Sequence, residues 1–329
     1  MSRRRSKKLD PSVMSLWFQI GDNTLEDDKV TYIDLAQCKS VVNRRFYRQG
    51  MNYAIAGFRI GYAGSRTTPI DIAIETLPTT WPVGASWHKF FAAWQHQQNE
   101  ALEAIGEGGI ESKAKWNDFK IFFDSGHKVL GNTTPVTPGG FLTDAGAGRG
   151  QYPWTLGEWD YSQIVTPETD GDAHEWNLCM LGDDFDAQAV KAMIKHYSLS
   201  RNYPQSPDPL TPELQGSVLS LMTMVPPAAQ SNVVDNAHDT NDELPYNQIN
   251  YPGMITTTGM SGQLHREITM IPTATSQYTN VAGCLAPCGL LKISHNAASG
   301  ESAGNLVLQV MLVPGPYKGY MAEPMQEMN

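Results

Sequence analysis

Arg3, Arg4, Arg5, Lys7 and Lys8 fall within six consecutive positions that contain no acid. Flexible point charges at this density bind phosphate groups without reading sequence. The same stretch can serve as a nuclear import signal, and the plainer reading is a solubilising tail. A second cluster, NRRFYRQ at 43–49, interleaves Arg44, Arg45 and Arg48 with Phe46 and Tyr47. Aromatic rings can stack on unpaired bases while guanidinium groups hold the backbone. The competing reading is a strand edge whose aromatics face the core and whose arginines pair with acids. Strict alternation would in either case put Phe46 and Tyr47 on opposite faces.

The charge balance gives these clusters a direction. The 329-residue chain has a formal net charge of −10, yet residues 1–60 hold 11 Lys/Arg against 6 Asp/Glu. Residues 61–329 hold 13 against 28. A basic arm on an acidic body suits a polyanion on one side only. A shell that faces nucleic acid inward and solvent outward needs that arrangement; an enzyme surface rarely does.

Other residues with chemical potential are weaker. Asp183, Asp184 and Asp186 form one acidic group, and Asp235, Asp239, Asp242 and Glu243 share a loop with His238. Oxygen-rich loops can hold calcium, but no EF-hand spacing is present. The first group reads more simply as acid at a helix N-terminus. A zinc site at Cys284 and Cys288 would need two further ligands, with His295 the one near candidate. Together with Cys38 and Cys179 these residues read as packed thiols of a reducing compartment. GAGRG at 146–150 lacks the strand, Lys-Ser/Thr and helix of a phosphate loop. No GxSxG, HExxH or nucleophile–base pair is evident. The expectation is no catalytic residue, no metal and no cofactor.

The elements that must position these groups are mostly strands. Segments 13–20, 29–37, 53–62, 69–77, 116–123, 159–165, 174–181, 263–271, 284–293 and 305–313 read as strands. Ile70, Ile72 and Ile74 against Asp71, Ala73 and Glu75 give the clearest alternation. A helix is expected over 85–105, with Trp87, Phe90, Phe91, Trp94, Leu102 and Ile105 on one face, Ser86 as cap and Gly106 as stop. A second is expected over 186–197, with Val190, Met193, Ile194 and Tyr197 inside. Residues 131–153, 201–212 and 231–253 read as loops. No apolar run approaches the ~20 residues of a membrane span, and LDP at 9–11 leaves no room for a signal-peptide apolar region. This pattern predicts an all-β, antiparallel two-sheet jelly-roll sandwich with long loops and two short inserted helices. Residues 1–11 would be a disordered basic arm and 12–329 the folded domain.

Four segments carry a family resemblance. LGEWDYSQIVTP (156–167) resembles a W-x-YS strand, and SRNYPQSPDPLTPE (200–213) resembles an SR-x(n)-SPDP loop. LPYNQINYPGM (244–254) resembles a PPYD…YPG element, with Leu244 and Asn247 in place of Pro and Asp. VPGPYKGYMAEPM (313–325) resembles a family C-terminal end. These are signatures of the capsid proteins of circular, Rep-encoding single-stranded DNA (CRESS-DNA) viruses, the faecal and environmental group. Circovirus-type capsids carry many more arginines in their arms.

The resemblance implies a non-enzymatic major capsid protein that assembles with itself into an icosahedral shell and packages single-stranded DNA. Its expected partners are further copies of itself, the DNA genome and a host receptor, with no membrane. Its expected location is the virion, and the host nucleus during assembly. Arg3, Arg4, Arg5, Lys7, Lys8, Arg44, Arg45 and Arg48 would touch nucleic acid. Tyr317, Tyr320 and Met321 would make contacts on a neighbouring subunit or on the sandwich's own edge. With about 60 copies, five arm charges each would offset about 300 phosphates. The rivals are a β-sandwich carbohydrate-binding protein or glycoside hydrolase, suited by eight tryptophans, and a phage tail or fibre adhesin.

Overall fold

Ile70, Ile72 and Ile74 are fully buried while Asp71 between them is exposed. The same period-2 logic places one face of every long strand in a shared interior. The structure, a computed structural model, describes residues 12–20, 28–62, 68–106, 116–135, 157–167, 173–201, 261–273, 277–297 and 306–328.

In chain order the first elements are β1 (Ser15–Gln19), β2 (Asp28–Asp34), α1 (Leu35–Asn43), β3 (Met51–Tyr62) and β4 (Ile70–Thr76). An insertion follows, with α2 (Trp81–Ile105), α3 (Ser125–Leu130), β5 (Gln163–Pro167), β6 (Ala173–Cys179), β7 (Val190–Ala192) and α4 (Met193–Arg201). The last part holds β8 (Gln263–Met270), β9 (Tyr278–Ala282), β10 (Leu285–Ala286), β11 (Leu290–Ala297) and β12 (Leu306–Leu312). It closes with β13 (Pro314–Gly315), β14 (Gly319–Tyr320) and β15 (Ala322–Pro324).

Two antiparallel sheets dominate. One runs β1-β12-β3, with β9, β10 and β15 also bonded along the long β3; the other runs β2-β11-β4-β8. Leu16, Phe18, Phe58, Ile60, Leu308 and Val310 of the first sheet share one core with Ile33, Ile72, Ile74, Leu291 and Ile293 of the second. The molecule is therefore an all-β sandwich in its main body. The register between β3 and β12 shifts at Met311/Leu312, so Ile55 and Phe58 both face inward although three positions apart. At Gly283 an added Cβ would lie 1.9 Å from the Ile55 carbonyl oxygen, so no other residue fits there without moving the ladder.

A second core covers the outer face of β2. Tyr32 and Leu290 pack there with Trp87 and Trp94 of α2, Phe119, Ile121, Phe123, Leu178, Met193 and Ile194. The insertion after β4 is thus docked on the sandwich by aromatic surface. Among the described residues no helix is long and apolar enough to cross a membrane.

Several expected elements are corrected. Residues 35–37 are helix, not strand, because Asp34 caps α1 by accepting from the amides of Ala36 and Gln37. Residues 116–123 form no regular strand; Phe119, Ile121, Phe122 and Phe123 are buried while Trp116 is exposed, and the described ladder is a single bridge from Phe122 to Cys179. Helix α2 starts at Trp81 after Thr80, so Ser86 lies inside it and is buried, while Gly106 does end it. Its last turn leaves the core, with Ile105 67% exposed. The helix expected at 186–197 is a 3-10 turn at Asp186–Gln188, then β7, then α4. Val190, Met193, Ile194 and Tyr197 are nonetheless buried. The strand expected at 284–293 is broken at Pro287–Gly289, where Cys288 takes φ 55°. The described residues hold four α-helices where two were expected, and α2 is 25 residues long. The arm at 1–11 and the loops at 202–212 and 231–253 lie outside the described residues.

Candidate functional site

Helix α1 ends where Arg44 turns left-handed, at φ 52° and ψ 40°, with its amide on the Ser40 carbonyl. The chain then runs across the end of the sandwich, and alternation separates the two aromatics as expected. Phe46 is half-buried and faces Trp116, with ring centroids 5.4 Å apart, and Trp159, at 6.3 Å. Tyr47 turns the other way and is fully buried, its ring 5.3 Å from Tyr320. Residues 44–48 lie in no strand, so NRRFYRQ is not the strand edge considered from sequence, although Tyr47 does face the core.

Phe46, Trp116 and Trp159 are walls of a pocket of ≈ 330 Å³ that Arg44, Arg45, Lys120, Gln37, Ser40 and Glu158 also line. The Lys120 ammonium lies 5.0 Å from the Trp159 ring centroid and donates to the Asp160 carbonyl at 2.9 Å. Burial holds its pKa below the usual lysine range, with Asp118, Asp34 and Asp160 pulling the other way. Three cations against the one carboxylate of Glu158 make the lining basic. Guanidinium groups, an ammonium and indole faces together can hold a phosphate and stack on a planar ring.

The wall is fixed from behind by Asp34, which is fully buried. Its Oδ1 caps α1. Its Oδ2 accepts from Trp159 Nε1 at 3.0 Å, Gln49 Nε2 at 2.9 Å and Tyr161 Oη at 3.2 Å. Tyr161 in turn accepts from Asn132 Nδ2 at 2.6 Å, and Asn132 Oδ1 lies 2.5 Å from His127 Nε2. His127 Nδ1 accepts the Phe123 amide at 3.0 Å, so the ring is neutral with its proton on Nε2.

Of the expected nucleic-acid residues, Arg44 and Arg45 line this pocket. Arg48 is exposed but outside the lining. Arg3, Arg4, Arg5, Lys7 and Lys8 lie outside the described residues. Of the expected contact residues, Tyr320 is 1% exposed. Its hydroxyl donates to Val13 O at 2.6 Å and accepts from Asn43 Nδ2 at 2.8 Å. It packs on the chain's own sandwich and has no face left for a neighbour. Tyr317 is half-buried and Met321 is 48% exposed. Beside Tyr320, Tyr47 and Tyr53 enclose the buried Lys39, whose ammonium is 2.7 Å from the Tyr53 centroid.

The acids at 183–186 are ion-paired. Asp183 and Asp184 meet Lys195, Asp184 also meets His196, and Asp186 meets Lys191 at 2.7 Å. Cys38, Cys179 and Cys288 are buried free thiols and Cys284 is half-buried, the last with its pKa pushed up to about 12 by burial. His295 Nε2 is turned to the Ile20 carbonyl, 3.0 Å away. Among the described residues no His, Cys, Asp and Glu group is arranged to hold a metal ion.

Trp116, Lys120 and Trp159 were not singled out as site residues from sequence. Trp159 and Asp34 are 125 positions apart, and no local pattern signals that meeting. Comparison with protein-family models, with curated proteins and with solved structures finds no match.

Proposed function

We propose that this chain is the major capsid protein of a circular single-stranded DNA virus, a non-enzymatic subunit of an icosahedral shell. The observation that carries this reading is the pairing of the eight longer strands of the two main sheets. In the order β1, β2, β3, β4, β8, β9, β11, β12, the first pairs with the eighth and the second with the seventh. The third pairs with the sixth and the fourth with the fifth. A long antiparallel hairpin rolled on itself gives these four pairs, and β12 beside β3 and β11 beside β4 are the contacts made by the rolling. We read this as a jelly roll, an architecture used by viral capsid subunits and by lectins.

Connectivity does not choose between those two uses. Charge favours the shell. The basic residues gather in the arm that enters β1 and in the pocket after α1, while the rest of the chain is acidic. DNA would be held by phosphate contacts from the arm and by the Arg44–Arg45–Lys120 pocket. The carbohydrate-binding reading is favoured by one observation, Trp116 and Trp159 beside Glu158 in a single pocket.

Electron microscopy of the purified full chain tests the proposal. Uniform hollow or DNA-filled spheres are expected. A stable monomer at all salt concentrations that binds sugars would overturn it in favour of the rival.

A further inference from the structure

We propose that Lys39 works as a proton-operated latch on the hairpin β13–β14: the closed hairpin encloses its side chain as an uncharged amine, and the hairpin opens with the uptake of one proton on that nitrogen. Three observations carry it. First, Lys39 lies on α1 and is fully buried. Its Nζ is 2.7 Å from the ring centroid of Tyr53, 5.1 Å from that of Tyr320 and 5.9 Å from that of Tyr47. Among the described residues it makes no hydrogen bond. One ring at contact distance attracts a cation. It does not replace the acceptors that an ammonium, a donor of three protons, gives up on burial.

Second, the charges around the cage do not compensate. Burial holds the Lys39 pKa well below the usual lysine range, with Asp34 at the end of β2 and Cys38 on α1 pulling the other way. Asp34 already accepts from the amides of Ala36 and Gln37 and from Trp159, Gln49 and Tyr161. The Cys38 thiol is uncharged, because burial pushes its own pKa up. Beyond the rings, Asp118 acts on Tyr53 and Arg45 acts on Tyr320. The Lys318 ammonium lies 5.8 Å from the Tyr47 centroid and 5.7 Å from that of Tyr317. Third, the hairpin is the wall that can leave. Among the described residues β13 and β14 pair only with each other, whereas Tyr53 sits inside β3 between β10 and β15. Tyr320 closes the cage from β14, and its hydroxyl holds Val13 and Asn43. The Lys318 carbonyl accepts from Ser12 Oγ at 2.8 Å and from Tyr47 Oη at 3.1 Å. Opening β13–β14 with β15 left on β3 therefore brings Lys39 to water and releases residues 12–13 at the entry to β1.

The open state holds Lys39 at the ordinary lysine value of about 10.4, and the closed state holds it lower. Between those values the open state binds the extra proton, so each pH unit downward favours opening about tenfold. Hydrogen exchange of the full-length chain, read by mass spectrometry on peptides spanning 314–321 between pH 7.5 and 9, tests this. After correction for the rise of chemical exchange with hydroxide, protection should fall about tenfold per pH unit as pH is lowered. These peptides should exchange faster than β3 and β12, because the hairpin opens by itself. Lys39→Met keeps the length of the side chain and cannot take a proton. It should abolish the pH dependence and raise protection at pH 7.5 about tenfold or more. Protection of the unmodified chain that does not change with pH would overturn the proposal, since the cage would then hold Lys39 charged. A dependence that persists in Lys39→Met, lower protection in that variant, or hairpin exchange no faster than that of β3 and β12 would overturn it too. The pH dependence of the unmodified chain decides the matter even where Lys39→Met does not fold.

Discussion

The indole nitrogen of Trp159 donates to the buried carboxylate of Asp34 at 3.0 Å, joining the pocket wall to the start of α1. Asp34 is at once a helix cap and the anchor of a site residue, so the cap and the pocket share one side chain. Asp34→Ala leaves the Trp159 and Gln49 donors without their carboxylate and uncaps α1. It should lower the unfolding free energy by about 3 kcal/mol or more in urea titrations. A loss under about 1 kcal/mol would show that water or a neighbour replaces the carboxylate.

His127 gives the fold a predictable acid response. Burial pulls its pKa below the ordinary 6.5, against the opposing pull of Asn132, Asp34 and Asp124. A proton on Nδ1 would also face the Phe123 amide, donor against donor. As pH falls below 6.5 the unfolded chain takes up a proton that the folded chain refuses, so stability falls with pH in that window. The slope from this group is at most about 1.4 kcal/mol per pH unit. His127→Gln should flatten the dependence of the urea midpoint between pH 6.5 and 5. An unchanged slope would assign the acid response to other groups.

Tyr320 ties the C-terminal hairpin to the residues before β1. Its buried ring sits against Tyr47, and its hydroxyl bridges Val13 and Asn43. Tyr320→Ala should cost about 3–5 kcal/mol, in line with other large aromatic deletions. Truncation after Val313 removes β15 from β3 as well and should abolish the cooperative thermal transition. Retention of a normal transition would mean that the segment is dispensable.

The basic arm should act through charge alone. Deleting residues 2–8 removes Arg3, Arg4, Arg5, Lys7 and Lys8. The log–log salt slope of single-stranded DNA binding should drop by about 3–4, at ~0.7 per charge lost. An unaltered slope would place the arm off the nucleic acid and leave the pocket after α1 as the contact.

The sandwich was legible wherever one face of a strand is wet. Ile70, Ile72 and Ile74 alternate with polar neighbours because β4 has one inner face, and the sequence shows that directly. Residues 116–123 misled because Phe119, Ile121 and Phe123 are buried by α2 and not by a ladder; apolar density reports burial and not hydrogen-bond partners. Helix α1 was hidden because it starts without a break from β2, and the one signal was Asp34 as a cap. Half of the pocket was legible. Arg44, Arg45 and Phe46 are neighbours in sequence, whereas Trp116, Lys120 and Trp159 reach them only after the insertion docks on the outer face of β2.

The neighbours of β12 also bear on how the polypeptide is made. β12 lies between β1 and β3 and pairs with both, Ser15 opposite Met311 and Tyr62 opposite Leu306. While the ribosome is still translating residues 306–312, two early strands wait with open edges for a partner that does not yet exist. Vectorial, piece-by-piece folding is therefore closed to this sheet, and its formation belongs to the finished polypeptide. Until residues 306–312 are in place the edges of β1 and β3 that they cover stay unpaired, and open edges of that kind are where incomplete chains associate with one another.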